Sequence, residues 1–268
     1  MKITFIGGGI MGEALIAGLL RAKLAAPADI AVSEPVDTRR SLLVQKYGVR
    51  ADLLARSVVP GANLVVLSVK PQNLGDLMPD LAKLLQPGQA VVSIIAGARI
   101  ETLAKGLGTS AIVRVMPNTP AQIGAGMTVW TATPSVPRDQ VNATRDMLRT
   151  LGEEAYVTDE KLIDMATALS ASGPAYVFLF IESLIDAGVH LGMSRDMARR
   201  LVLQTVLGSA QMVKETGRHP AEMRDMVTSP GGTTAEALLA LERAGFRRAI
   251  LDAVIAAYEK SKRLGEQK

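Results

Sequence analysis

The 268-residue chain contains no cysteine and only two histidines, His190 and His219. Disulfides, thiolate metal sites and cysteine nucleophiles are therefore excluded, and a Ser–His–Asp triad would need one of those two histidines in a special role. No metal site is expected. Aromatic residues make up only 3%, too few for the stacking platforms that hold single-stranded nucleic acid. Charge of one sign is also scarce. The net charge is +4, and the basic residues are dispersed on helix-like stretches (Arg195, Arg199 and Arg200 in one, Arg247, Arg248, Lys260, Lys262 and Arg263 in another), so no nucleic-acid partner is expected. No uninterrupted apolar run reaches the roughly 18 residues of a bilayer span. The chain opens on a strand-like Lys2-Ile3-Thr4-Phe5-Ile6 rather than a leader pattern. A cytoplasmic protein without membrane contact is the expectation.

The chain is 48% hydrophobic and 21% charged, the composition of a globular protein. Up to residue 158, short apolar runs alternate with helical patterns, as in an α/β fold with a parallel sheet. Strands are expected at residues 3–6, 30–33, 64–69, 90–94, 112–115, 127–130 and 155–157, with helices at 11–20, 39–47, 74–85 and 137–151. From residue 159 to 268 no strand pattern remains, and six stretches show helical periodicity. The expected organisation is an α/β domain over 1–158 and an all-α domain over 159–268. Residues 174–191 and 201–213 are apolar around much of their circumference. Such a surplus in a small helical domain implies burial against a second copy, hence a homodimer at least.

Gly7-Gly8-Gly9-Ile10-Met11-Gly12 follows the first strand and opens a helix, which is the context in which G-x-G-x-x-G binds a dinucleotide. Gly7 suits the tight turn, Gly9 the close approach of a pyrophosphate and Gly12 the packing of helix on strand. The second strand ends in Ser33-Glu34-Pro35-Val36-Asp37-Thr38-Arg39-Arg40. Glu34 stands where an acid accepts the ribose 2′-hydroxyl of NAD, whereas Ser33, Thr38, Arg39 and Arg40 suit the 2′-phosphate of NADP. Both cofactors stay open at this point. Val69, Lys70 and Pro71 end another strand at the carboxyl edge, as do Ala96 in S-I-I-A-G and Asn118 in M-P-N-T-P. Three strand ends on one edge suit a nicotinamide pocket.

Near the C-terminus, Ser229-Pro230-Gly231-Gly232-Thr233-Thr234 precedes an Ala/Leu/Glu-rich helical stretch. Two glycines running into a helix start aim free N–H groups at one point, which suits a carboxylate or phosphate. Thr233 or Thr234 is the expected N-cap. Ser172 and Gly173 open a long helical stretch, either as its cap or as part of a pocket. Glu182 and Asp186, four apart on that stretch, read as a solvated or interface face rather than an acid–base pair.

Taken together, G-G-G-I-M-G, S-V-K-P-Q from Ser68, S-I-I-A-G from Ser93, R-V-M-P-N-T-P-A from Arg114, S-G-P-A-Y from Ser172 and V-T-S-P-G-G-T-T from Val227 resemble pyrroline-5-carboxylate reductases over essentially the whole chain. The resemblance implies a Rossmann-type domain followed by a helical dimerisation domain, in a dimer or a decamer of five dimers. It implies NADPH, or NADH, as reductant of the cyclic imine L-1-pyrroline-5-carboxylate, giving L-proline. With that substrate, the backbone N–H groups of Gly231, Gly232 and Thr233 are the expected holders of its carboxylate, with Ser229 and Ser172 as further expected substrate-binding residues, and the resemblance implies that the Thr234 hydroxyl serves the imine nitrogen. Two departures stand out. Members often carry an Asn where this chain reads Leu53-Leu54-Ala55-Arg56-Ser57, and Ala171 replaces a glycine in S-G-S-G-P-A. A β-hydroxyacid dehydrogenase shares the glycine loop but uses a catalytic lysine on the first long helix of its second domain, and residues 173–181 contain none. A non-catalytic NAD(P)-binding regulator is the third alternative.

Overall fold

The computed structural model describes residues 1–266. They divide into two compact units, Met1–Ser172 with the residues from Ala257 onward, and Gly173–Ala256.

The first unit is a β-sheet with helices on both faces. In chain order it contains β1 (Ile3–Ile6), α1 (Ile10–Arg21), β2 (Ile30–Ser33), α2 (Asp37–Tyr47), β3 (Arg50–Asp52), β4 (Leu64–Leu67), α3 (Leu74–Ala82), β5 (Ala90–Ser93), α4 (Ile100–Leu107), β6 (Ile112–Met116), β7 (Gly126–Ala132), α5 (Arg138–Arg149), β8 (Gly152–Tyr156) and α6 (Lys161–Ala166). The strand order is β3-β2-β1-β4-β5-β6-β7-β8. Every residue of β1, β4, β5 and β6 is buried, which explains why these strands are apolar at nearly every position rather than alternating. Alternation along β4 splits the core. Leu64 and Val66 pack with Phe5, Leu15 and Trp130 on one face, while Val65 and Leu67 pack with Leu81 and Leu103 on the other.

The sheet is not wholly parallel, as the sequence had suggested: β7 runs antiparallel to β6. The residues from Pro117 to Ala125 that join them form only a 3-10 turn, and a parallel crossover needs a dozen residues or more. Two elements, β3 and α4, add to those read from the sequence.

The units also part at a different place from residue 158. Residues 159–172 stay with the sheet because α6 is tied to it by ion pairs from the buried Arg114 to Glu160 and Asp164, both at 2.7 Å. After α6 the chain passes through a π-helical turn, Thr167–Ala171.

The second unit is all-helical: α7 (Gly173–His190), α8 (Arg195–Thr216), α9 (Pro220–Met226), α10 (Thr233–Arg243) and the first part of α11 (Phe246–Glu266). Ser194 Oγ caps α8 by accepting from the Met197 amide at 3.3 Å, and His219 Nδ1 caps α9 by accepting from Ala221 at 3.2 Å. The second histidine thus has a structural task. No residue of α7 or α10 is buried, and in α8 only Ala198 is. Phe178 and Leu179 are 60% and 64% exposed. The stretch Lys161–His190 is long and apolar enough, by length and composition alone, to cross a bilayer. An uninterrupted-run criterion missed this because isolated polar residues punctuate it.

Candidate active site

Reversal of strand order between β1 and β4 creates the crevice where such sheets bind ligands. The glycine loop sits there. Gly7 has φ +102°, and a Cβ on it would lie 2.7 Å from the Ser68 carbonyl oxygen. Its amide donates to Ser33 O at 2.8 Å, and Ser68 Oγ donates to Gly7 O at 2.7 Å. A Cβ on Gly12 would lie 2.8 Å from Gly7 O. These two glycines are demanded by the packing of loop, strand and helix. Gly9 differs, since nothing lies within 4 Å of the Cβ it would carry. Gly9 is the N-cap of α1 and brings no side chain to cap it, so the orphan donors of the first turn lie beside open space. That cradle fits a pyrophosphate. A cleft of about 700 Å³ adjoins it, lined by Gly7, Ser33, Pro35, Leu54, Arg56 and Val69.

Glu34 and Arg39 are placed differently from what residue chemistry suggested. Glu34 is buried, with Oε2 accepting from the Gly8 amide at 2.7 Å and Oε1 from Val36 at 2.9 Å. Arg39 donates to Gly8 O through Nε at 3.0 Å and Nη2 at 2.6 Å, and pairs with Glu13 at 2.7 Å. The Gly8 peptide is clamped at both ends, so both side chains set the shape of the loop. Glu13, missed in the sequence, completes this clamp. Burial pushes its carboxyl up, but hydrogen bonds from Lys46, Arg39 and Tyr47 outweigh that and lower it from 4.5 to about 2. A depressed carboxylate stabilises the fold above its unfolded value and loses that contribution as pH falls through the folded one. Glu13→Gln should therefore flatten the fall in Tm between pH 4.5 and about 2. Parallel Tm–pH curves for the two proteins would refute this.

Along the edge, Lys70 is exposed, without a side-chain partner among the described residues, and precedes the turn at Pro71. Ala96 packs in one cluster with Met116, Val129 and Ile163. Asn118 does not project freely. Its Oδ1 accepts from the Met127 amide at 2.9 Å and its Nδ2 donates to Ser170 O at 3.3 Å. It ties the M-P-N turn to β7 and to the π-helical turn, a feature often found at functional sites. The Ser172 amide donates to Thr167 O at 2.9 Å, so Ser172 closes that turn rather than capping a helix. Ala171 fits there without strain, because Lys23 is the only non-glycine residue with positive φ among the described residues.

In the second unit, Gly231 has φ +66° and Gly232, not a threonine, is the N-cap of α10. The Gly232 amide closes the turn onto Ser229 O at 3.1 Å, which removes it from the expected set of anion donors. Thr233 and Thr234 form the first helical turn instead, exposed and half-buried respectively. Asp186 pairs with Arg195 at 2.9 Å, which accounts for it without Glu182.

An α/β unit with this strand order and an open glycine cradle belongs to the dinucleotide-binding oxidoreductase class. Residues 2–97 match the family described as NADP oxidoreductase coenzyme F420-dependent, and residues 160–264 match pyrroline-5-carboxylate reductase dimerisation. The chain is 44% identical to a pyrroline-5-carboxylate reductase of Synechocystis, covering 100% of this chain and 99% of that protein. It is 40% identical to the Escherichia coli enzyme of that name, covering 99% and 98%. The crystal structure of a Plasmodium falciparum pyrroline carboxylate reductase with NADP bound superposes with a TM-score of 0.90 at 35% identity, covering 99% of this chain and 98% of that one. The chain belongs to the pyrroline-5-carboxylate reductase family.

Proposed function

We propose that the protein reduces L-1-pyrroline-5-carboxylate to L-proline with NADPH, the last step of proline biosynthesis. The observation that carries this reading is the pairing, in one family member, of an open pyrophosphate cradle at Gly9 with a glycine-led helix start at Gly231 and Gly232. Gly7, Gly8, Gly9, Ile10, Met11 and Gly12 hold the pyrophosphate, with Ser33 and Val69 on the adenosine side and Lys70, Pro71, Ala96 and Asn118 on the nicotinamide side. Glu34 and Arg39 serve the cofactor by fixing the Gly8 peptide. Bound there, the reduced nicotinamide supplies a hydride. The imine carbon accepts it while the nitrogen takes a proton, leaving a secondary amine.

The chain's part is to orient the ring and keep its nitrogen protonated. No histidine, cysteine or lysine is needed for that. The free amides of Gly231, Thr233 and Thr234 take the substrate carboxylate, aided by the α10 dipole, with Ser229 and Ser172 bordering the ring. The Thr234 hydroxyl, with no hydrogen-bond partner among the described residues, serves the nitrogen.

The exposed apolar side chains of α7 and α8 form the dimer contact. The proposed assembly is a cytoplasmic homodimer, built further into a decamer of five dimers, and light scattering of the purified protein tests the count. The reaction is tested by mixing NADPH, protein and the imine and following absorbance at the nicotinamide band together with proline. Equal consumption of NADPH and formation of proline is expected. Tight dinucleotide binding without turnover would mark a non-catalytic regulator instead.

A further inference from the structure

We infer that Arg56, and not Arg39, selects NADPH over NADH; this rests on the dinucleotide reading above. Three guanidinium groups lie near the carboxyl end of β2, and two are occupied. Arg39 holds Gly8 O and Glu13. Arg40 spans Glu34 O at 2.8 Å, Pro35 O at 2.9 Å and Asp37 at 2.8 Å. Recruiting Arg39 to a 2′-phosphate would strip the Gly8 carbonyl of both its donors, at the point where the loop must keep its shape.

Arg56 is exposed and makes no hydrogen bond or ion pair among the described residues. It stands on a 3-10 turn, Ala55–Ser57, at the mouth of the cleft beside Gly7. The turn is fixed at its approach. Asp52 Oδ1 accepts from the Leu54 amide at 2.9 Å, and Ser33 Oγ donates to Leu53 O at 3.3 Å. Leu53 and Leu54 are 52% and 42% exposed, an apolar surface suited to an adenine face. The other cation of the cleft, Lys83, is already paired with Asp80 at 3.1 Å. The acids that line the cleft, Asp76 and Asp80, both stand on α3, Asp80 paired with Lys83, and the acid at the end of β2 is turned away. Glu34 is absent from the cleft lining, and both of its oxygens accept from backbone amides. A free guanidinium in an apolar-floored cleft matches phosphate geometry and supplies the charge-assisted bonds that discriminate a phosphate from a hydroxyl.

The test is calorimetric titration of the full chain and its Arg56→Ala variant with NADPH, NADH, 2′,5′-ADP and 5′-ADP. The substituted position lies on an exposed turn, so the variant folds. Loss of one charged hydrogen-bonding group predicts roughly 10- to 100-fold weaker binding of NADPH and 2′,5′-ADP, with NADH and 5′-ADP within about twofold. Arg56→Lys should recover part of the loss, and 1 M salt should narrow the NADPH/NADH ratio of the unaltered chain. Equal weakening of both pairs, no weakening, or a phosphate-selective loss in Arg39→Ala instead would overturn the assignment. If the unaltered chain binds neither dinucleotide, the underlying reading falls, and this one with it.

Discussion

Thr234→Ala should lower kcat roughly 100-fold, the low end of what a positioned proton-handling group contributes, while leaving the KM for NADPH within about twofold. The reason is the division of labour proposed for the α10 start. Carboxylate binding falls to backbone amides, which no side-chain substitution removes, so the imine should still bind. The nitrogen is served by one hydroxyl. A neutral imine is a poor hydride acceptor, and a threonine hydroxyl is too weak an acid to protonate it outright. Its contribution is to hold an incoming proton, or an already protonated nitrogen, in line. Thr234→Ser keeps the hydroxyl and should retain most of the rate. Thr233→Ala, one position earlier and exposed, should behave nearly as the parent. Steady-state kinetics on the three variants separates these outcomes. An unchanged kcat in Thr234→Ala removes Thr234 from the reaction, and a loss confined to KM would make it a binding group only.

Much of this site was legible because its key features are backbone features with strong local signatures. Gly7 and Gly12 were readable as glycines that the strand–helix packing requires, and the structure gives the reason in the Ser68 and Gly7 carbonyls beside them. The turn at Gly231 was readable for the same cause, although its N-cap is Gly232 and not a threonine. Side-chain partners were harder to foresee. Glu34, Arg39 and Asn118 are residues of the right chemistry at the right strand ends, yet all three are engaged within the unit, each on backbone and Arg39 on the Glu13 side chain as well. Sequence position fixes which end of a strand a residue occupies, not which of several nearby acceptors wins.

The missed elements divide in the same way. The period of α4 was visible in Ile100, Leu103, Ala104 and Leu107, and the antiparallel β7 follows from a connection too short for a crossover. By contrast β3, only three residues with Arg and Asp at its ends, carries no alternation to detect.

The buried arginine of the M-P-N strand yields the largest stability effect. Arg114 is 0% exposed, with Nη1 on Glu160 and Nη2 on Asp164, both at 2.7 Å. Glu160 also accepts from the Ile100 amide at 2.8 Å, and Ser261 Oγ, near the end of α11, reaches Asp164 at 3.3 Å. One guanidinium thus gathers the start of α4, α6 and the end of α11 around β6, two residues before the site turn. Arg114→Met leaves Asp164, 8% exposed, without its counter-charge, and removing one partner of a buried pair costs several kcal/mol. Because Glu160 is partly open to water (31%) and can rehydrate, about 3 kcal/mol is expected, the low end of that range. For a unit of this size that lowers Tm by roughly 10 °C. Replacing the second charge as well, in Arg114→Met/Asp164→Leu, should recover part of the loss, since apolar packing often substitutes for a buried ion pair at little cost. Thermal unfolding of the two variants decides it. A single variant as stable as the parent would mean the pair contributes nothing net. A double variant less stable than the single would mean that Asp164 is held by Ser261 and its other surroundings rather than by Arg114.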